Sequence, residues 1–205
     1  MMRRLSIFAG LLAGLSSACS AQQPAQAESG TRLAAATFAG GCFWCTESDF
    51  DKMPGVVSTT SGYTGGRVAN PTYKQVSNGG TGHIEAVRVV YDPAKVSYGT
   101  LASRFLRTID PLDGGGQFCD RGDMYRSAIF VAGAEQRRIA EAAKKAASAQ
   151  LRKAIATEIL PAAKFYPAED YHQDYYTKNP LRYRYYRYSC GRDARIAKVW
   201  SKARQ

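Results

Sequence analysis

"HIEAVRVVYDP", residues 83–93, is the stretch on which the fold turns. Glu85, Val87, Val89 and Tyr91 fall on one face of an extended chain, and Ile84, Ala86, Arg88 and Val90 on the other. That is a strand, and Pro93 ends it. Working outward, "RLAAATFAGG" (32–41) is another strand-like run, closed by two glycines. "GVVSTTSGYTGG" (55–66), "YRSAIFVAG" (125–133) and "KAIATEILP" (153–161) read as further extended stretches.

Helical patterns separate them. In "CFWCTESDFDKM" (42–53), Phe43, Glu47 and Phe50 recur at helical spacing until Pro54-Gly55 stops the run. Ser97 caps a helix through Leu101, Phe105 and Ile109. Glu135–Ala149 is rich in strong helix formers. "AEDYHQDYYTKNP" (168–180) reads as a helix stopped by Asn179-Pro180, and one short turn falls at Tyr73–Val76. Strands separated by helices give an α+β domain with helices packed on a mixed sheet. Residues 62–82 and 110–124 read as long irregular loops, which in a compact domain tend to carry function. "RYRYYRYSCGRDARIAKVW" (182–200) reads as a flexible, basic C-terminal tail.

The 205 residues suffice for one domain with a core. The formal charge is +11. Arg3 and Arg4 precede an uncharged run, Leu5–Leu15, too short to span a bilayer but suited to an export signal. "AQA" at Ala25–Ala27 is an A-x-A cleavage site, so residues 1–27 are expected to be the signal and 28–205 a single catalytic domain. A second reading makes Cys19 a lipidated residue, with the signal ending before it. "RRLSIF" also resembles a weak twin-arginine signal. The expected product is exported, periplasmic and monomeric, without a transmembrane span. Soluble export is preferred to a lipid anchor at Cys19.

Apart from Cys19, the cysteines are Cys42, Cys45, Cys119 and Cys190. An even set in an exported chain points to structural disulfides. The Cys42/Cys45 pair allows three readings: a redox pair, half a zinc site, or a packed corner. Zinc needs a second close pair, and none exists; His83 and His172 are isolated. No metal or cofactor is expected.

For redox chemistry, Cys42 follows Gly40-Gly41 at a helix start, where free N–H groups stabilise a thiolate. Phe43 and Trp44 can wall a small apolar pocket suited to a methyl or thioether group. Glu85 shares a face with Val87 and Val89. Burial there raises a carboxyl pKa and leaves a proton to donate at neutral pH. The competing reading for each is ordinary packing or a solvent-edge side chain, and His83, His172 and Glu47 are assigned structural roles.

"GGCFWCTE", "SGYTGG", "NPTYKQV", "GHIEAVRVVYDP", "CDRGDMYRSAIF", "FYPAEDYHQDYY" and "NP…Y…CGR" together resemble, in order over about residues 33–192, the motifs of the peptide methionine-S-sulfoxide reductases. The resemblance implies a single reductase domain, here expected to have a ferredoxin-like, plait-type core. It implies that Cys42 is the nucleophile and Glu85 the acid that protonates the sulfoxide oxygen. Tyr73 and Tyr125 would hydrogen-bond that oxygen, and Asp120 would line the pocket. Phe43 and Trp44 would hold the S-methyl group. The substrate would be methionine sulfoxide, free or in proteins, and a thioredoxin-like dithiol would recycle the enzyme.

Two positions depart from the commonest family pattern: a Gly usually stands where Cys45 is, and Cys119 is inserted beside the pocket acid. Three cysteines therefore compete to resolve a Cys42 sulfenic acid. Cys190 on a swinging tail is preferred, ahead of Cys45 and Cys119, and a structural bridge of the Cys45–Cys119 type stays open. Two other functions compete. One is an exported thiol–disulfide oxidoreductase using Cys42–Cys45. The other is a basic module binding the cell envelope or nucleic acid, suggested by "RYRYYRY" (182–188); no nucleic-acid partner is expected.

Overall fold

The strand at 83–93 lies inside a six-stranded sheet. The computed structural model describes residues 32–201, so both cleavage readings and the anchor at Cys19 lie outside the described residues. The elements are β1 (Ala34–Gly40), α1 (Phe43–Asp51), β2 (Val56–Thr64), α2 (Tyr73–Ser77), β3 (Ile84–Tyr91), α3 (Tyr98–Leu106), β4 (Gly116–Gln117) and β5 (Asp120–Arg121). Then come β6 (Ser127–Val131), α4 (Ala134–Leu151), β7 (Glu158–Pro161), β8 (Tyr166–Pro167), α5 (Tyr175–Lys178), α6 (Pro180–Ser189) and α7 (Arg192–Ser201). The sheet order is β7-β6-β1-β3-β2-β8. Its pairings are antiparallel except β6 with β7. The inner four strands, β6-β1-β3-β2, with α1 after β1 and α3 after β3, make the plait expected from the sequence.

The two faces of β3 separate as the alternation predicts. Val87, Val89 and Tyr91 join the main core with Phe38, Phe50, Leu101 and Phe105. Ile84 and Ala86 join a smaller cluster with Ala39, Ala128 and Phe130. Phe38 packs on Phe50 at 4.8 Å and on Phe105 at 5.0 Å between ring centroids. Each such side chain contributes about 2–3 kcal/mol by leaving water. Ser97 does cap α3, accepting from the Thr100 N–H at 3.1 Å, but the helix ends at Leu106, short of Ile109.

The C-terminal third corrects three expectations. The helix read over 168–178 is confined to Tyr175–Lys178. Upstream, side chains outcompete the local helix. Gln173 accepts from the Ser61 N–H and donates to the Ser61 and Ala168 carbonyls, while Asp174 takes a left-handed φ of 53°. Pro180 does not merely stop a helix: it opens α6, where its missing N–H costs nothing. The "tail" is not a flexible segment but two packed helices. Buried Arg192 donates to the carbonyls of Gly40 (3.3 Å) and Thr108 (2.9 Å), and Trp200 is buried with the Arg107 guanidinium over its ring. The loop at 110–124 also carries the β4–β5 hairpin.

Candidate active site

The site forms where β1 runs into α1. Gly41 has φ +75°, and a Cβ there would sit 2.5 Å from Gln117 Cβ, so only glycine fits this turn. Cys42 follows as the N-cap, and its side chain makes no capping hydrogen bond. The sulfur therefore stays available. The Phe43 N–H, one of the free amides of the helix start, donates to Glu85 Oε2 at 2.9 Å. The amide expected to support a thiolate thus supports the carboxyl instead.

Glu85 lies opposite Tyr63 on β2 and is 2% exposed. Burial pushes its pKa up to about 8, against the Phe43 hydrogen bond, so the group holds its proton at neutral pH. Tyr73 opens α2, which carries a capping box between Thr72 and Gln75. Its N–H donates to Glu169 Oε1 at 2.8 Å, and the Tyr63 hydroxyl donates to Glu169 Oε2 at 2.9 Å. Tyr125 ends a short 3-10 turn, Asp123–Tyr125, and lies beside the Tyr73 phenol. Burial, then the nearby Glu85 carboxyl, pushes both phenols up, so both remain donors.

The two sulfurs of the first turn form one unit. Cys42 is 6% exposed and Cys45 2%. Burial, then the neighbouring Cys45 sulfur, pushes the Cys42 thiol well above its ordinary value; Cys45 drops to about 7, chiefly through the Cys42 sulfur beside it. Arg192 and Arg187, both from the C-terminal helices, add positive potential at Cys45. Cys42 and Cys45 thus lie together at the start of α1, with burial acting against charge on Cys42 and the C-terminal arginines favouring it on Cys45. Tyr186, from α6, also lies against Cys42. Its hydroxyl donates to Asp120 Oδ2 at 2.5 Å, which joins the β5 acid to the nucleophile.

The aromatic wall is built across the same elements. Trp44 stacks on Tyr175 at 3.6 Å and nearly parallel, with Tyr186 edge-on at 5.8 Å. The Trp44 Nε1–H donates to His172 Nδ1 at 3.0 Å, and burial keeps His172 neutral enough to accept. Phe43 packs between Tyr63 and His172. The structural role expected of His172 is therefore that of orienting the Trp44 indole. Glu47 meets no basic neighbour; it accepts the Asp174 N–H at 3.0 Å, and burial beside Asp51 and Asp174 raises it to about 7.

Cys42, Phe43, Trp44, Tyr73, Glu85, Asp120 and Tyr125 are thus brought to one place. The other cysteines are arranged differently from expectation. Cys190 is the C-cap of α6 and is bonded to Cys119, so it is neither on a free tail nor a free thiol, and the weighed Cys45–Cys119 bridge is not formed. That bridge consumes the thiols of the Cys119, Asp120 and Cys190 cluster, the one His/Cys/Asp/Glu grouping with ligand-like spacing among the described residues. Sequence reasoning missed Tyr186, Tyr63, Glu169 and Arg192. For Arg192 a signal existed, a lone arginine following a Cys-Gly turn; for the tyrosines, a chain with thirteen of them offers none.

Residues 34–204 match the profile of a family described as peptide methionine sulfoxide reductase. A relative from Caulobacter vibrioides, peptide methionine sulfoxide reductase MsrA 2, is 52% identical over 201 residues, 98% of this chain and 99% of that protein. Methionine sulfoxide reductase A of Corynebacterium diphtheriae superposes with a TM-score of 0.65 at 40% identity, over 73% of this chain and 76% of that one. Mxr1 of Saccharomyces cerevisiae in complex with Trx2 superposes with a TM-score of 0.51 at 25% identity, over 70% and 84% of the two chains.

Proposed function

The chain belongs to the peptide methionine sulfoxide reductase family, and from that premise we propose how its own residues reduce methionine sulfoxide to methionine. The observation that carries the scheme is a buried Glu85 carboxyl fixed by the Phe43 N–H beside Cys42. The substrate's S-methyl group lies against Phe43 and Trp44. Its oxygen meets Glu85, Tyr73 and Tyr125, three donors placed where negative charge grows as the S–O bond weakens.

Passing the Cys42 proton to Cys45 leaves a Cys42 thiolate, which attacks the sulfoxide sulfur while Glu85 protonates the oxygen. The protonated oxygen passes from the substrate sulfur to the Cys42 sulfur as the bond between the two sulfurs breaks, so methionine leaves and Cys42 becomes a sulfenic acid. Cys45 is the thiol already against Cys42, so it is the resolving residue. Its sulfur attacks the sulfenic sulfur, water departs, and a Cys42–Cys45 disulfide forms. Cys42, as an N-cap with φ −49° and ψ 119°, lies outside helical geometry, which relaxes the distortion that a bridge within one turn otherwise requires. A thioredoxin-like dithiol then supplies two electrons, as the complex of the yeast relative with Trx2 suggests. Residues 1–27 serve as an export signal, which fractionation of a tagged chain would check.

The reading against a general thiol–disulfide oxidoreductase rests on Glu85, which such chemistry does not need. Within segment 182–188, Tyr183, Tyr186 and Arg187 turn inward on α6, with Arg187 paired to Asp49 and Asp193, so only part of its aromatic and basic content faces outward. The decisive assay supplies dithiothreitol and each epimer of a methionine sulfoxide separately. Turnover of the S epimer alone is expected; no turnover by folded protein would refute the scheme.

A further inference from the structure

Glu47 lies buried on α1, 1% exposed, and the reaction scheme makes no use of it. A buried carboxyl is costly unless its hydrogen bonds offset the loss of water. The bond that Glu47 accepts comes from the Asp174 N–H, at 3.0 Å, from a segment 127 positions away. Asp174 has φ 53° and ψ 32°, a left-handed conformation disfavoured for a residue with a Cβ. It opens α5, a single turn too short to hold itself in water.

The next residue is Tyr175, whose ring lies on the Trp44 indole at 3.6 Å with 6° between the planes. Trp44 and Glu47 stand at i and i+3 on α1, where side chains share a face. One helix face therefore meets both the Tyr175 ring and the backbone just ahead of it. The flanks of the turn are tied elsewhere. Gln173 is bonded to the Ser61 backbone, and the Tyr176 hydroxyl donates to Asp51 Oδ2 at 3.0 Å. Glu47 holds the turn between them, at Asp174.

We propose that Glu47 is a positioning residue for substrate binding: by holding the Asp174 N–H it fixes the left-handed turn that lays Tyr175 on Trp44, and so sets the indole against which the substrate's S-methyl group packs. The proposal rests on the reductase reading, which places that methyl group on Trp44. Glu47 acts through Tyr175, not on the reacting atoms. An apolar wall holds the methyl group equally before and during reaction. Loosening the wall should therefore weaken binding and leave the rate at saturation unchanged.

The test is a single turnover. Fully reduced protein is mixed with increasing methionine sulfoxide and no reductant, and the methionine formed gives a half-saturating concentration and a saturating rate. Glu47→Met fills the same space without an acceptor oxygen. It should raise the half-saturating concentration about fivefold, the size of one lost hydrogen bond, with the saturating rate unchanged. Glu47→Gln keeps the oxygen and should behave as wild type. Tyr175→Ala should also weaken binding, and Glu47→Met/Tyr175→Ala should bind no more weakly than Tyr175→Ala alone, because the two residues act in series. Unchanged binding in Glu47→Met or in Tyr175→Ala would overturn the proposal. So would multiplying effects in the double variant, a lower saturating rate with unchanged binding, or no rescue by Glu47→Gln. If circular dichroism shows that Glu47→Met does not fold, Glu47→Asp replaces it, since it draws the oxygen back by one methylene. Weaker binding there supports the proposal and unchanged binding overturns it. Each of these failures leaves the reductase reading standing; a wild type that forms no methionine in the first turnover would sink that reading and the proposal with it.

Discussion

The Phe43 N–H and Glu85 Oε2 lie 2.9 Å apart, so one hydrogen bond fixes the acid on β3 to the first turn of the helix that carries Cys42. Neither group can move far without the other. The bond also favours the ionised carboxyl, yet burial outweighs it and the proton stays on up to about pH 8.

A rate that depends on protonated Glu85 must fall as pH rises through about 8. Glu85→Gln removes the transferable proton. It should lower kcat/KM by roughly 10²–10⁴-fold and abolish that alkaline limb, because proton donation contributes about this much. A pH–rate profile of both proteins is the check.

Cys45→Ser separates the two chemical halves. Cys42 still forms its sulfenic acid, so a burst of about one methionine per enzyme should appear and a sulfenic-acid probe should label Cys42. The Cys42–Cys45 disulfide should be missing from peptide maps. Cys42→Ser should show neither burst nor label.

Trp44 is positioned by His172 through its indole N–H and by Tyr175 through stacking. Trp44→Ala should raise the KM for methionine sulfoxide by about tenfold, equivalent to about 1.4 kcal/mol of lost apolar contact. His172→Ala, which frees the indole, should move KM in the same direction by less. Steady-state kinetics with dithiothreitol measures both.

Gly41→Ala places a Cβ against Gln117 in a backbone conformation that disfavours it. The cost should be about 2–4 kcal/mol, at the upper end of single substitutions. Urea unfolding at constant m-value tests this. Gly79→Ala, with φ +80° but open space around it, should cost less.

Glu47 makes stability depend on pH. Its folded pKa, about 7, lies above that of an unfolded carboxyl. As pH rises from the unfolded value towards 7, the unfolded chain releases its proton first, so the folded state loses ground across that window. Glu47→Gln keeps an acceptor for the Asp174 N–H and has no proton to lose. Its Tm relative to wild type should therefore rise between pH 5 and pH 8.

Much of this was legible in the chain. The alternation at 83–93 located β3 and put Glu85 on the core face, because a strand in a half-buried sheet writes its environment into every second residue. Cys42, Phe43 and Trp44 were legible because a glycine pair, an N-cap and a helix are neighbours in sequence. What escaped depends on distant partners. Tyr186 gains its place from Asp120, sixty-six residues earlier, and from Trp44, and Glu169 gains its place from Tyr63 and Tyr73. The helix expected at 168–174 lost to Gln173's bonds with Ser61, which no local pattern reports. The C-terminal helices looked like a tail because arginines and tyrosines that pack inward have the same composition as those that face water.

Arg192 reaches back 152 positions to the Gly40 carbonyl, just ahead of the reactive pair. A chain still emerging from the ribosome can lay down β1, β3 and α1 long before α6 and α7 exist. Until those last residues appear, Cys42 lacks its Tyr186 neighbour and Cys45 lacks the Arg187 and Arg192 charges. The surroundings of the reactive pair are therefore completed only when the end of the chain joins the fold.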